Sequence, residues 1–417
     1  MRSKVLIIAY YFPPFSVSLG SAIRMLKLAE YLKENGYEVY ILTVQGEEAN
    51  YYGYRELCSK FNITYMPSLF GKYLWKILAS KLSYSNRRNT LLGSSCNFFK
   101  RIWDILCLMI GLCSYIIRTF LFARKMIIQN QIYNVYITSP LHISQVVGIL
   151  LKKYFKNRIC WFIEYRDSFH HLEGIWLGRL FYSIFSRCIL KNCNYFIYCS
   201  RPIFERARQI YSRLEEKALF IGNGYDIEMR GITKCGGKNK EVLRVGYFGS
   251  LGANVDFRRD PALLFNILKK FKGRIILELY GYCRMPIGSD LSEIVRYCGN
   301  LDYSEAIKKM REMDLLLILI LGRLGSSDEI ITAKVYDYML AEKPILVLGP
   351  KDMEVCKIIE KEKIGYSADI YNDLEATQLL EKLLFDREKG QLLRYSIEDL
   401  KEYKRQYQYS KLLPVLK

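Results

Sequence analysis

Asp328-Glu329-Ile330-Ile331-Thr332-Ala333-Lys334-Val335-Tyr336-Asp337-Tyr338-Met339-Leu340, followed by Ala341-Glu342-Lys343-Pro344 and the apolar run Ile345-Leu346-Val347-Leu348-Gly349, reads as a loop, a helix and a strand in order. Thr332 suits a helix cap, Val335, Tyr338 and Met339 recur at helical spacing, and Pro344 stops the helix before a short buried strand. A helix start presents unpaired backbone N–H groups and the positive end of the dipole, and Lys334 stands one turn in, so an anion such as a diphosphate is expected there. Glu329 precedes that start and Asp337 lies roughly 7–8 Å beyond it along the axis. Two carboxylates thus bracket an anion site, an arrangement suited to a ligand with hydroxyls at both ends and phosphates between.

The chain has 417 residues, 51% of them hydrophobic, which favours two domains over one. No internal repeat or low-complexity tract stands out. Met1 to Lys4 run straight into Val5-Leu6-Ile7-Ile8-Ala9, too short for a secretory signal, so the expected location is the cytoplasm. The twelve cysteines form no C-x-x-C pair and no Cys/His metal spacing, which predicts reduced packing residues.

Net charge is +20 and uneven: residues 1–225 hold 30 Lys and Arg against 13 Asp and Glu, residues 226–417 hold 32 against 29. The stretch 72–125 carries ten basic residues and one acid, Asp104, among apolar and aromatic residues. Such a stretch fits an anionic surface, either lipid headgroups or nucleic acid. Its most apolar part, Ile105 to Ile117, is too short to span a bilayer. Two readings stand side by side: a helix lying at the inner face of the cell membrane, or a core helix with solvated basic flanks.

Along the chain, strands are expected over 4–12, 38–44, 135–138, 159–165, 195–199 and 218–221, with helices over 22–32, 143–153 and 175–191. Gly20, in the small-residue loop Ser16 to Gly20 after the first strand, sits where open α/β sheets place ligands, although a plain turn is the commoner explanation of one loop glycine. Residues 227–241, rich in Gly, Lys and Asn, read as a linker. Strand and helix then alternate again: strands over 243–248, 275–280, 295–298, 315–319 and 345–348, and a helix over 261–271. The fold expected is α/β, two Rossmann-like doubly wound domains facing an interdomain cleft, with residues 1–226 first, 242–395 second and 396–417 crossing back to the first.

The motifs Ala9-Tyr10-Tyr11-Phe12-Pro13-Pro14 with Gly20 and Arg24, Glu164-Tyr165-Arg166-Asp167, Ile221-Gly222-Asn223-Gly224-Tyr225-Asp226, Gly246-Tyr247-Phe248-Gly249-Ser250-Leu251, and Thr332 to Leu340 with Lys343-Pro344-Ile345-Leu346 occur in that order. Through them nearly the whole chain resembles a GT-B glycosyltransferase, and among these glycosyltransferase family 4, retaining enzymes that use nucleotide-sugars. The family's Glu-x7-Glu pattern falls on Glu329 and Asp337. By resemblance Glu329 contacts the donor sugar and phosphates, while Asp337, one methylene shorter than the family's glutamate, accepts from the ribose hydroxyls. Gly249, Ser250, Arg258, Arg259, Ala333 and Lys334 complete the donor side, with Arg258 and Arg259 as alternative diphosphate ligands. Gly20 and Arg24 belong to the acceptor-side loop.

Many family members carry a histidine at the end of the strand matching Val135 to Thr138. This chain has Thr138-Ser139-Pro140, and His142 is the candidate substitute, a surface or packing residue being the other reading. Asp167 is the stronger acceptor-side candidate, with a buried ion pair as its alternative.

The resemblance implies transfer of a sugar from a nucleotide-sugar to a hydroxyl of a glycan or lipid-linked glycan in cell-surface polysaccharide biosynthesis, with no cofactor and no bound metal. The chain would be cytoplasmic or peripheral on the inner membrane face. Three alternatives remain: a nucleotide-sugar epimerase or hydrolase on the same fold, a basic polyanion-binding protein, and an inactive partner subunit. Because the positive charge is confined to one half, no nucleic-acid partner is expected.

Overall fold

A computed structural model describes residues 3–15, 19–45, 56, 58–67, 96–139, 142–166, 185–226, 242–252, 260–283, 288–321 and 332–417. The expected linker 227–241 and residues 72–95 of the basic stretch lie outside the described residues, as do Asp167, Arg258, Arg259 and Glu329. The chain divides into two compact units. One comprises Met1–Cys199, Ile203–Ile221 and Tyr409–Lys417; the other Ser200–Pro202 and Gly222–Gln408.

In the first unit the strands are β1 (Lys4–Ile8), β2 (Glu38–Gln45), β3 (Asn62–Pro67), β4 (Asn134–Thr138), β5 (Cys160–Tyr165), β6 (Tyr195–Tyr198) and β7 (Ala218–Phe220). They form one sheet in the order β3-β2-β1-β4-β5-β6-β7. Every described pairing in it is parallel. Parallel strands need crossovers that cover both faces, so central strands should be apolar on both sides. In β1, Leu6 and Ile8 pack into one core while Val5 and Ile7, with Ala9 just beyond the strand, pack into another. Helices α1 (Leu19–Glu34), α2 (Cys96–Asn130) and α3 (Ser144–Phe155) belong to this unit. Helix α1 starts at Leu19, which puts Gly20 in its first turn rather than in the preceding loop.

Within residues 50–130, where the sequence marks only the helix expected around Ile105 to Ile117, the structure places β3 and the 35-residue α2. As an edge strand β3 buries only Met66, so its pattern carries little apolar signal. Among the described residues no helix is long and apolar enough to cross a membrane.

In the second unit β8 (Leu243–Phe248), β9 (Ile275–Tyr280), β10 (Val295–Gly299), β11 (Leu315–Leu319), β12 (Ile345–Leu348) and β13 (Gly365–Ala368) form a sheet in the order β10-β9-β8-β11-β12-β13. Its described pairings are also parallel. Leu315, Leu317 and Leu319 face one core, Leu316 and Ile318 the other, again the period of two for a strand buried on both sides. Its helices include α4 (Ala262–Leu268), α5 (Tyr303–Glu312), α6 (Lys334–Ala341), α7 (Glu354–Glu362) and α8 (Asp373–Glu388). Strand β13, sequence GYSA, has no apolar run to announce it. A Cβ on its Gly365 would lie 2.0 Å from the Ile345 carbonyl oxygen, so the neighbouring strand requires glycine there.

Candidate active site

Helix α6 occupies the stretch that sets the fold. Its last turn buries Tyr338, whose hydroxyl donates to the Leu317 carbonyl at 3.1 Å and accepts the Phe248 N–H at 3.2 Å. Those bonds tie α6 to strands β8 and β11. The helix ends at Ala341, before Pro344, because Glu342 turns into the left-handed region at φ 56° and returns its N–H to the Met339 carbonyl. The Tyr395 hydroxyl covers two remaining carbonyls there, those of Tyr338 and Lys343, each at 3.0 Å.

At the start of α6, Ala333 occupies the cap position and Thr332 accepts the Lys334 N–H on its hydroxyl at 3.4 Å. The Val335 and Tyr336 N–H groups donate to the carbonyls of Thr332 and Ala333. The first turn is therefore closed on itself more tightly than the sequence implies. An incoming anion would meet the Lys334 ammonium and the helix dipole rather than a row of open amides.

The Lys334 ammonium lies 3.7 Å from the centroid of the Tyr247 ring, a cation–π contact. The Tyr247 hydroxyl donates to the Ser250 carbonyl at 2.8 Å, which pins the loop leaving β8. Gly249 sits in that loop at φ +130°. A Cβ there would stand 2.8 Å from Lys334 Cε and 3.0 Å from Nζ. The lysine thus runs directly over the glycine, and the loop needs glycine both for its dihedral and for room.

Asp337 is half-buried, and its Oδ1 accepts the Tyr303 hydroxyl at 2.7 Å. Burial pushes its carboxyl up to about 6 from the ordinary 3.8; Tyr303, Arg405 and Lys334 pull it down, and Asp226 adds to the rise. Asp226 itself is held by Arg405, whose Nε donates to Oδ1 at 2.8 Å. The tract Gly222–Asp226 is locked to residues 397–408. Tyr225 donates to the Ile397 and Leu400 carbonyls, and Gly224, at φ 72°, has the Arg405 Cα 2.8 Å from where a Cβ would be. Lys334, Asp337, Gly249 and Ser250 are therefore brought together in one unit, joined by Tyr247, Tyr303, Asp226 and Arg405. Of the joining residues, Tyr303 has no sequence signal, because it precedes Asp337 by 34 positions on another helix.

In the first unit the strand ends hold a buried charge cluster. Glu164 near the end of β5 is fully buried and accepts from Arg24 Nε at 2.8 Å, from the Tyr136 hydroxyl at 2.9 Å and from the Thr138 hydroxyl. Burial alone would raise its carboxyl; Arg24 and then Arg166 hold it below the ordinary value. Arg24 also donates to the Ile221 carbonyl at 2.8 Å, and its pKa is raised, burial working against the attraction of Glu164. Arg166 Nε donates to the Ser139 carbonyl at 2.7 Å and lies 3.7 Å from Glu164. His142 stacks on Tyr165 with ring centroids 5.1 Å apart and planes at 22°. Arg24 is thus packed inside the unit, on the side of α1 that faces Glu164. Among the described residues no group of His, Cys, Asp and Glu could hold a metal ion.

No profile of a known protein family matches the chain, and no curated protein does. Its fold does match solved structures. Sucrose-phosphate synthase from Thermosynechococcus elongatus superposes with a TM-score of 0.62 at 13% identity, covering 99% of this chain and 98% of that one. A glycosyltransferase from Rickettsia africae gives 0.61 at 12%, covering 100% and 98%. HepE from Anabaena, solved in complex with UDP, gives 0.58 at 12%, covering 100% and 99%. With its two parallel sheets of seven and six strands, the chain has the GT-B fold of these proteins.

Proposed function

We propose that the protein is a glycosyltransferase that moves a sugar from a nucleotide-sugar to a hydroxyl of a glycan or lipid-linked glycan. The observation that carries the reading is the pair Lys334 and Asp337, one helical turn apart on α6, beside the glycine loop at Gly249. A cation over a glycine, with a carboxylate three residues on, matches a diphosphate joined to a ribose. Fold alone does not assign an activity. It adds weight here because HepE of the same fold was solved with UDP.

In the reaction proposed, the bond between the anomeric carbon and the diphosphate oxygen breaks while the acceptor oxygen bonds to that carbon. Negative charge grows on the leaving diphosphate. Lys334 and the dipole of α6 stabilise it, joined by Arg258 or Arg259, so the reading asks for no bound metal. Glu329 contacts the donor sugar and phosphates, and Asp337 accepts from the ribose. Asp167 is assigned to receive the acceptor's proton, with His142 as the alternative. Retention of configuration and membership of family 4 follow the resemblance of Glu329 and Asp337 to the Glu-x7-Glu pattern. The acceptor class and a role in cell-surface polysaccharide rest on the same resemblance, and a place at the inner face of the membrane rests on the basic first half of the chain.

The test incubates the protein with a panel of UDP-, GDP- and ADP-sugars, with and without a membrane extract as acceptor source. Release of nucleoside diphosphate from one donor, dependent on the extract and accompanied by labelled sugar in the lipid or glycan fraction, supports transfer. Release that is independent of the extract would point to hydrolysis instead. Conversion of the donor to an isomeric sugar would point to epimerisation.

A further inference from the structure

The long helix α2 has two unlike faces. One packs inward: Ala123, Met126 and Ile127 are core residues of the first unit, and the Tyr115 hydroxyl meets Ser144 on α3 at 2.9 Å. The other carries Met109, Ile110, Ile117, Leu121 and Ile128 at 47–57% exposure. Ile110, Ile117, Leu121 and Ile128 recur at steps of seven, four and seven, the spacing of a single helical stripe. That stripe is about 27 Å long over its 18 residue steps. Its first part is a shallow groove of Met109, Ile110, Cys113, Ser114, Ile117 and Arg118, lined almost wholly by apolar atoms. Isolated exposed aliphatic residues need no explanation, but four on one stripe, interrupted by Ser114, Arg124 and Lys125, do.

The charge beside it in sequence is nearly all positive, Asp104 earlier on α2 being the exception. From Ile105 to Ile163 the sequence contains seven Lys and Arg and no acidic residue. Arg118 edges the groove, Lys125 is exposed, and Arg124 lies 5.4 Å from the ring centroid of Tyr154, itself exposed near the end of α3. Lys153, Lys156 and Arg158 follow, also exposed. A protein partner is typically met by a compact cluster of aromatic and arginine anchors. An extended aliphatic row with a cationic, partly aromatic margin instead fits a lipid surface, where aliphatic side chains enter the acyl boundary and lysine and arginine reach phosphate headgroups.

We propose that the outer face of α2 seats the protein on an anionic lipid bilayer, the helix lying in the interface plane with the row from Met109 to Ile128 directed into it. This deepens the proposed membrane-side function by naming the surface, yet it can be tested without turnover.

The experiment is flotation of the full chain with vesicles of phosphatidylcholine alone and of phosphatidylcholine mixed with phosphatidylglycerol, for the wild type and for Ile110→Ser, Ile117→Ser and Leu121→Ser singly and together. These side chains are exposed, so folding should persist; the melting curve and the nucleoside-diphosphate-induced shift of each variant check it. The wild type should float with the anionic vesicles and not with the neutral ones, and raised salt should release it. The triple variant should partition about tenfold less or worse, since each exposed aliphatic side chain contributes when buried. Equal flotation of wild type and triple variant overturns the proposal, as does failure of the wild type to float. So does a dimer that the triple substitution dissolves while flotation is unchanged, which would make the face a contact between copies. Flotation as described together with no response to any nucleotide would leave the lipid face standing and sink the glycosyltransferase reading.

Discussion

The Tyr303 hydroxyl donates a 2.7 Å hydrogen bond to Asp337, the residue assigned to the ribose. A carboxylate already held by a phenol has one oxygen engaged before any ligand arrives. Its other oxygen remains to receive a sugar hydroxyl, and the tyrosine oxygen can itself accept a second. Because burial raises the Asp337 carboxyl to about 6, the pair also makes the site sensitive to mild acid.

Asp337→Asn should therefore stabilise the protein while weakening its ligand binding. The folded-state pKa, about 6, lies above the ordinary 3.8, so the native state holds a proton that the unfolded chain has released. The penalty for burying the carboxylate is absent below about pH 4, grows between pH 4 and 6, and is complete above. At pH 8 the asparagine variant should melt a few degrees higher, for roughly 1–2 kcal/mol after solvent screening. At pH 4 the two melting temperatures should coincide. Calorimetry at both values checks this, and equal differences at the two would contradict it.

Tyr303→Phe removes a hydrogen bond that pulls the Asp337 carboxyl down. In the wild type, affinity for nucleoside diphosphate should fall as pH drops through about 6, because protonated Asp337 is the poorer acceptor. The phenylalanine variant should show the same fall displaced to higher pH. Titration calorimetry across pH 5–8 measures it; an unmoved profile would separate Tyr303 from Asp337.

Gly249→Ala should be costly twice over. Its φ of +130° strains any side chain, for about 1–3 kcal/mol, and the added methyl would stand 2.8 Å from Lys334 Cε. Thermal stability should drop, and nucleotide affinity should fall as Lys334 is displaced from Tyr247. Combined with Lys334→Ala, the steric part should disappear and the two losses should add to less than their sum.

Glu164→Gln leaves Arg24 buried beside a neutral amide, so a loss of about 3–5 kcal/mol is expected at neutral pH. The folded-state carboxyl is held below its ordinary 4.5, so the stability it contributes is present above that value and lost as pH falls through the folded pKa. Urea titration of wild type and variant should therefore converge toward acid.

Much of this was legible in the sequence because central parallel strands are buried on both faces. LLLIL at Leu315–Leu319 and ILVL at Ile345–Leu348 are short apolar runs whose length and flanks favour buried strands, and both strands begin and end where the sequence puts them. Of the edge strands, β7 and β10 were expected but β3 and β13 were not: NITYMP at Asn62–Pro67 and GYSA at Gly365–Ala368 are held by neighbours rather than by their own apolar content. At the candidate site, Lys334 and Asp337 carry a local signal, since both sit on α6 within one turn. Tyr303 and Arg405 do not, and Tyr247 was legible only as a motif member, because their contacts to these residues are set by the packing of β8, α5 and residues 397–408. Arg24 was legible as a motif member, but its bond to Glu164, 140 residues away, belongs to the tertiary structure.

The central claim is that the Lys334 ammonium holds a nucleoside diphosphate. Its most direct test is the thermal shift of wild type and Lys334→Ala against rising UDP, GDP and ADP. One nucleotide should raise the wild-type melting temperature in a saturable way, and Lys334→Ala should need about tenfold more of it or worse, as expected for loss of a charge-assisted contact. A wild type that no nucleotide stabilises, or a Lys334→Ala protein that responds at the same concentrations, would contradict the account.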